Sequence, residues 1–421
     1  MTAEAPAPGG EPKKHARSLL AEHPAFRLFW CARTASALSF QMQAVAVGWQ
    51  IYELTHSTFQ LGMVGVAQFL PMVLLTLPAG HAADRYNRTI TAGTSTAIQG
   101  LAIVGMAFAS HAHRLTPAGI FAAVAFIGAA KAFERPAASA LMPNLVPEKL
   151  VPQGIALSSA AMQTAFVIGP AVGGILYGWG AAVTYAAAAG LALLAAALTF
   201  MIRQERSARP KEPPTLASVF SGIHFIRRSP IILGSISLDL FAVLLGGATA
   251  LLPAYARDIL HIGATGLGAL RAAPAVGSLL MSFILAHRPL AGNVGRKMFA
   301  AVFSFGVATV IFGLSRWVAL SFVALFLMGA SDMVSVVVRS SLVQLQTPDA
   351  MRGRVSAVNS LFIGTSNQLG EFESGITASL FGTVPATVLG GLGTIVVCGL
   401  WMRFFPALVA FDRLQPAPKA S

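Results

Sequence analysis

Long apolar runs separated by short polar turns recur along most of this chain. A membrane-spanning helix needs about 20 predominantly apolar residues. The pattern predicts twelve such spans, numbered 1 to 12 here: 26–51, 61–83, 89–110, 116–137, 153–177, 181–202, 230–256, 265–287, 298–315, 318–341, 355–381 and 385–405. The runs are continuous rather than alternating, which predicts helices and not a barrel. The longest polar interval, 204–229, separates six spans from six. It holds Arg209-Pro-Lys-Glu-Pro-Pro214, which breaks helices, and then 216–226, which reads as a short amphipathic helix on the membrane face. The expected organisation is a disordered cytoplasmic tail 1–24, a six-helix bundle 25–203, the linker 204–229, a second bundle 230–405 and a cytoplasmic tail 406–421.

Composition supports that reading. Of 421 residues, 55% are hydrophobic and 11% charged, against roughly 25% charged in soluble domains. The net charge of +13 is distributed by topology. With both termini in the cytoplasm, only Arg114, Arg257 and Arg316 fall outside, and the remaining bases of the turns, tails and helix ends fall inside. The basic excess is then topology plus attraction to anionic lipid, and it calls for no nucleic-acid partner. Cys31 and Cys398 sit in the first and last spans and read as packing residues. No phosphate loop, metal cluster or nucleophile–base motif is present, so no enzyme chemistry and no cofactor is expected. His111 and His113 flank a short external turn and read as solvated.

The halves look like repeats. Leu145-Val-Pro-Glu-Lys-Leu150 follows span 4, and Gln346-Thr-Pro-Asp-Ala-Met351 follows span 10. The offset between Pro147 and Pro348 also places Gly169 on Gly370, Gly174 on Gly375 and Lys131 on Asp332.

Two motifs carry a family resemblance. The turn between spans 2 and 3 places Gly80, Asp84, Arg85 and Arg88 in a G-x-x-x-D-R-x-x-R pattern. It resembles the loop 2–3 signature of major facilitator transporters, departing from it at Asn87, where Gly is usual, and at Thr89, where a base is usual. Mid-span 5 carries Gly169-Pro170-Ala171-Val172-Gly173-Gly174. It resembles the antiporter signature of drug and metabolite exporters, with small residues that let another helix pack close. Gly277 and Ser278 on span 8 are a plausible partner surface. Thr55-His-Ser-Thr-Phe-Gln-Leu-Gly62 and Arg135-Pro-Ala-Ala-Ser-Ala-Leu-Met-Pro-Asn-Leu-Val146 look like the exporter subfamily containing enterobactin exporters, macrolide efflux proteins and lysophospholipid flippases. The resemblance implies an all-helical integral membrane fold of twelve transmembrane helices in two pseudo-symmetric bundles. It also implies that Asp84 meets Arg352 and Arg354 at the cytoplasmic start of span 11, latching the halves when the cavity opens outward.

Ionisable groups inside spans are functional candidates by default. They are Arg33 on span 1, Lys131 and Glu134 on span 4, Asp239 on span 7, Arg271 on span 8, Asp332 on span 10, and Glu371 and Glu373 on span 11. In the resembled fold, spans 1, 4, 7 and 10 line the cavity. Pseudo-equivalence suggests Lys131 pairing with Asp332 and Arg33 with Asp239; structural pairing and solute or proton duty stay open for each. Lys131 and Glu134 lie near the cytoplasmic end, where partial solvation is expected. A carboxylate deep in span 11 suits proton carriage, with Asp239 as a further acid. Gln41, Gln43, Gln50, Gln163, Asn359, Asn367 and Gln368 are polar candidates for shaping the site, and Phe40, Trp49, Phe69 and Phe241 for its walls. The expected function is proton-coupled export of a small amphipathic solute by a monomer in the cell membrane. A lipid flippase, a facilitated importer and a membrane receptor or enzyme are the alternatives.

Overall fold

The computed structural model describes residues 19–203, 216–288 and 290–413. The tails 1–18 and 414–421 and the proline-rich 204–215 of the predicted linker lie outside the described residues, as does the side chain of Asp84. Every described element is helical. Spans 1 to 6 are Pro24–Thr55, Thr58–Leu74 continued by Thr76–Arg85, Arg88–His111, Pro117–Leu141, Val151–Tyr177 and Ala181–Phe200. The linker helix is Leu216–Arg228. Spans 7 to 12 are Pro230–Leu245 with short turns on to Ile259, Gly263–His287, Val294–Leu314, Val318–Leu345, Asp349–Phe381 and Thr383–Phe404.

Among the described residues, nine helical segments are long and apolar enough to cross a membrane unaided. Spans 1, 2 and 11 fall short, each for a local reason. Span 2 is interrupted at Leu75, between Pro71 and Pro78. Pro78 has no N–H to offer the carbonyl of Leu74, one turn back. Spans 1 and 11 carry internal polar residues: Arg33, Gln41, Gln43 and Gln50 on one, Asn359, Asn367, Gln368, Glu371 and Glu373 on the other.

The spans build two halves. In the first, span 1 packs on spans 5 and 6, and span 3 on spans 4 and 6. In the second, span 10 packs on spans 8 and 9, and span 12 on spans 7 and 9. The halves meet along two seams, span 5 against span 8 and span 2 against span 11. At the end away from where span 1 begins, buried clusters cross between halves: Val47 and Tyr177 pack with Ala254 and Ala264, and Val45 with Leu251 and Leu252. At the opposite end each cluster stays within one half. Phe26, Phe29, Leu141 and Ile202 group in the first, and Ile232, Val343, Val355 and Val358 in the second. Among the described residues, burial therefore ties the halves together at one end and leaves a chamber between them.

The linker helix joins the second half through Ile223, Phe225 and Ile226. The chain after span 12 folds back onto the start of span 9. Val294 N–H donates to the carbonyl of Asp412, Gly295 N–H to that of Phe411, and Asn293 N–H to the Asp412 carboxylate at 2.7 Å.

Candidate functional site

The chamber has three lobes that share Gln41 of span 1 and Phe166 of span 5. One, of about 360 Å³, reaches Phe40, Gln43, Gln68, Gln368, Arg271 and Glu371. A second, of about 400 Å³, reaches Gln163, Asp239, Arg271, Asp332, Arg339, Asn367 and Glu371. The third, of about 110 Å³, lies within the first half against Arg33, Lys131, Glu134 and Arg135. The predicted candidates Arg33, Gln41, Lys131, Asp239, Arg271, Asp332, Asn367 and Glu371 thus line one connected space, and Glu373 does not line it.

The ion pairs differ from the expected ones. Arg33 pairs with Glu134 at 3.1 Å, and Asp239 pairs with Arg339. Among the described residues no ion pair joins Lys131 to Asp332 or Arg33 to Asp239. The reason is geometric. In an open chamber the two halves stand apart, so Arg33 and Asp239 each find a partner on a helix of their own half. The two pairs are mirror-like: the base is on span 1 and the acid on span 4 in the first half, and the acid is on span 7 and the base on span 10 in the second. Glu134 is buried rather than solvated. It accepts from Gln99 Nε2 at 2.9 Å and Ser36 Oγ at 3.4 Å besides Arg33. Arg339 falls near a span end in the sequence pattern. Span 10 in fact continues to Leu345 and holds Arg339 only 3% exposed.

Lys131 has an aromatic partner instead of an acid. Its Nζ sits 3.1 Å from the centre of the Phe40 ring, a cation–π contact. Arg271 has a buried Nε without a hydrogen-bond partner. On span 11 the two glutamates diverge, as residues two apart on a helix must. Glu373 accepts from Thr377 Oγ1 at 2.7 Å. Glu371 faces the chamber, and its carboxylate lies against Gly65 of span 2. Of the suggested wall residues, Phe40 lines the chamber, whereas Trp49 packs into the core clusters and Phe241 against Trp401.

The glycine motif of span 5 is a contact surface. A Cβ on Gly169 would lie 2.5 Å from Gln41 Cβ, and one on Gly173 2.9 Å from Met42 Cα, so both press span 5 onto span 1. Gly174 turns to the other half: its Cβ would lie 2.8 Å from Gly268 Cα on span 8. Span 8 is therefore the partner, but at Gly268. Gly277 and Ser278 face span 10 instead, where Ser278 Oγ donates to the carbonyl of Gly329 at 2.8 Å. Pro170 lies buried beside these contacts and lines the chamber.

In the turn between spans 2 and 3, Asn87 accepts from Thr89 N–H at 2.9 Å and from Ile90 N–H. Asn87 thus caps span 3, which accounts for its departure from glycine. Arg88 Nη1 donates to the carbonyl of Ala140 at 3.1 Å, holding the turn to span 4. Arg85 is exposed, and a Cβ on Gly80 would meet nothing within 4 Å. Arg352 Nε donates to the carbonyl of Gln344, and Arg354 Nη1 to Ser221 Oγ of the linker helix.

Residues 29–370 match the family model of the Major Facilitator Superfamily. The chain belongs to the major facilitator superfamily. Curated relatives agree. An enterobactin exporter EntS of Citrobacter koseri is 30% identical over 414 residues, 95% of this chain and 96% of its own. One of Shigella boydii is 28% identical over 96% of this chain and 97% of its own. Among solved structures, an inward-facing, unoccupied bacterial homologue of the human lysosomal transporter Spinster superposes with a TM-score of 0.75 at 14% identity, covering 97% of this chain and 100% of its own. A bacterial homologue of the iron transporter ferroportin gives 0.69 at 17% identity, covering 92% of this chain and 99% of its own. This major facilitator is a multi-pass membrane transporter and not an enzyme, and its chamber lies where the two six-helix bundles of the fold face each other.

Proposed function

We propose that this protein is a proton-coupled exporter of a small amphipathic solute, a siderophore or other metabolite, working by alternating access. The observation that supports it is the chamber: it lies between the halves, is walled by aromatic, amide and charged groups from both, and is sealed at one end. The named relatives, both exporters, support the direction. The open end faces the cytoplasm with both termini, as the distribution of bases favours, so the structure corresponds to the solute-loading state. The halves 25–203 and 230–405 rock about this site, with 204–229 as their tether and a monomer as the working unit.

Glu371 is the proton carrier of this scheme. Of the two glutamates on span 11 it is the one that faces the chamber, whereas Asp239 is held by Arg339 and Glu373 is turned to Thr377. Lys131 and Arg271 are the cationic contacts for solute. When the chamber opens the other way, Asp84 closes onto Arg352 and Arg354 with Gly80, Arg85 and Arg88 shaping the turn.

The test is purified protein in liposomes with an imposed pH gradient. Solute flux should follow the gradient in wild type and lose that dependence in Glu371→Gln. Lipid flipping without a gradient would favour a flippase, and full gradient-driven flux in Glu371→Gln would remove the assignment.

A further inference from the structure

The seam between spans 2 and 11 repeats the seam between spans 5 and 8. Gly174 meets Gly268 on one side of the molecule, and Gly375 meets Gly62 on the other, where a Cβ on Gly375 would lie 2.7 Å from Gly62 Cα. Gly174 and Gly375 occupy the same position in the two repeats. So do Gly169 and Gly370, and Gly370 presses on Val243 and Leu244 of span 7 much as Gly169 presses on span 1. The glycine motif of span 5 therefore has a working counterpart on span 11, and the far end is sealed by two backbone-to-backbone crossings.

Of the two crossings, that of spans 2 and 11 places a carboxylate against the partner helix's glycine. One turn below Gly62, a Cβ on Gly65 would lie 2.9 Å from Glu371 Oε2 and 3.2 Å from Gln368 Oε1. That amide oxygen is buried and has no hydrogen-bond donor. An unpaired buried acceptor is costly, and a proton on the neighbouring carboxylate supplies the missing donor. The other charged groups facing Glu371 are few. Arg271 approaches from span 8, and Asp239 from span 7 and Asp332 and Arg339 from span 10 line the same lobe, where Arg339 is paired to Asp239. Span 2 offers Gly62, Gly65 and Gln68 and span 1 offers Gln41 and Gln43 there, none of them titratable.

We propose that the span 2–11 crossing is a proton-gated seal, in which protonated Glu371 lies over Gly65, bonds to Gln368 and keeps the far end closed, while its ionised form drives the crossing apart. This rests on the reading of Glu371 as proton carrier and adds where the proton acts. Gly65 is a positioning residue, whose missing Cβ lets the carboxylate seat at the crossing. The coupling has the sign an exporter needs. A proton arriving from outside closes the far end, and its loss to the cytoplasm lets the loaded chamber reopen outward.

The test reads the seal directly. Val64→Cys, at the chamber wall just inside the crossing, is introduced after replacing Cys31 and Cys398 with serine. A membrane-impermeant maleimide is added on the side opposite the termini. Labelling of the parent should accelerate about tenfold as pH rises from 6 to 8, within the usual range of coupling between two sites. Glu371→Gln should label slowly at both values. Gly65→Ala should flatten the pH response, and Glu371→Asp should restore part of it. Gly105→Ala, where a Cβ meets nothing within 4 Å, should label as the parent does. An unchanged pH response in both Glu371→Gln and Gly65→Ala overturns the proposal. Liposome flux separates this from the broader reading: if flux ignores the pH gradient while labelling follows Glu371, proton-driven export fails and the gated seal stands.

Discussion

Replacing Arg339 with leucine gives a strong test of the packing described here. Arg339 is 3% exposed and Asp239 6%, and they pair between spans 10 and 7. Removing the guanidinium leaves a carboxylate without a counterion in the protein interior. It also leaves that carboxylate in the lobe of about 400 Å³ that Asp332 lines as well. Breaking a buried pair this way costs about 3–5 kcal/mol, a large share of a typical ~5–15 kcal/mol of stability. Changing both residues to leucine removes both charges together and should return stability close to wild type. The difference between the double variant and the sum of the single ones should then be about 3 kcal/mol or more. The measurement is the thermal midpoint of each purified variant in the same detergent. A single Arg339→Leu that melts like wild type would show that the pair is solvated. A double variant as unstable as the two single changes added would show that the groups do not compensate each other. Either result refutes the reasoning.

Three further outcomes follow from the contacts. Gly174→Leu should abolish transport by forcing spans 5 and 8 apart while Gly105→Ala leaves it intact, read as solute flux in liposomes together with maleimide labelling from the far side. Asp84→Asn should lower flux while solute binding, measured by thermal shift, stays near wild type; normal flux would reduce the turn between spans 2 and 3 to a solvated loop. Asp412→Ala should cost about 1 kcal/mol by freeing Asn293 N–H and should make the segment after Phe404 cleavable by protease where wild type resists.

The twelve spans were legible because lipid demands continuous apolar runs, and the repeat was legible because glycine contacts leave a fixed register. The local breaks had visible causes: Pro71 and Pro78 flank Leu75 on span 2, and Gly246-Gly247 ends the first helix of span 7. The pairing of charges was not legible. Lys131 and Asp332 are equivalent by repeat, but equivalence says nothing about distance across an open chamber. Arg339 was hidden by the length of span 10, since a base two residues from the predicted end of a span reads as solvated. Nor could the sequence distinguish Glu371 from Glu373, because rotation about the axis of span 11 is set by which glycines span 2 presents. The second half's turn between spans 8 and 9 lacks an acid of its own, and only the folded chain shows Asp412 arriving from beyond span 12 to meet Asn293.

The three spans that are too short or too polar to cross unaided carry a consequence for how the protein is made. A charged residue at the centre of an inserting helix costs roughly 2.5–3.5 kcal/mol. Span 11, with Glu371 and Glu373 in its middle, meets that cost twice, and span 2 enters as two pieces divided at Leu75. These segments become stable in lipid only when their polar faces find protein or chamber water. Span 12, apolar and joined to span 11 through the single residue Gly382, anchors it from behind. Span 2 has span 3 in the same position. The polar wall of the chamber is therefore held in lipid by the plainer helices next to it in the chain until the halves close around it.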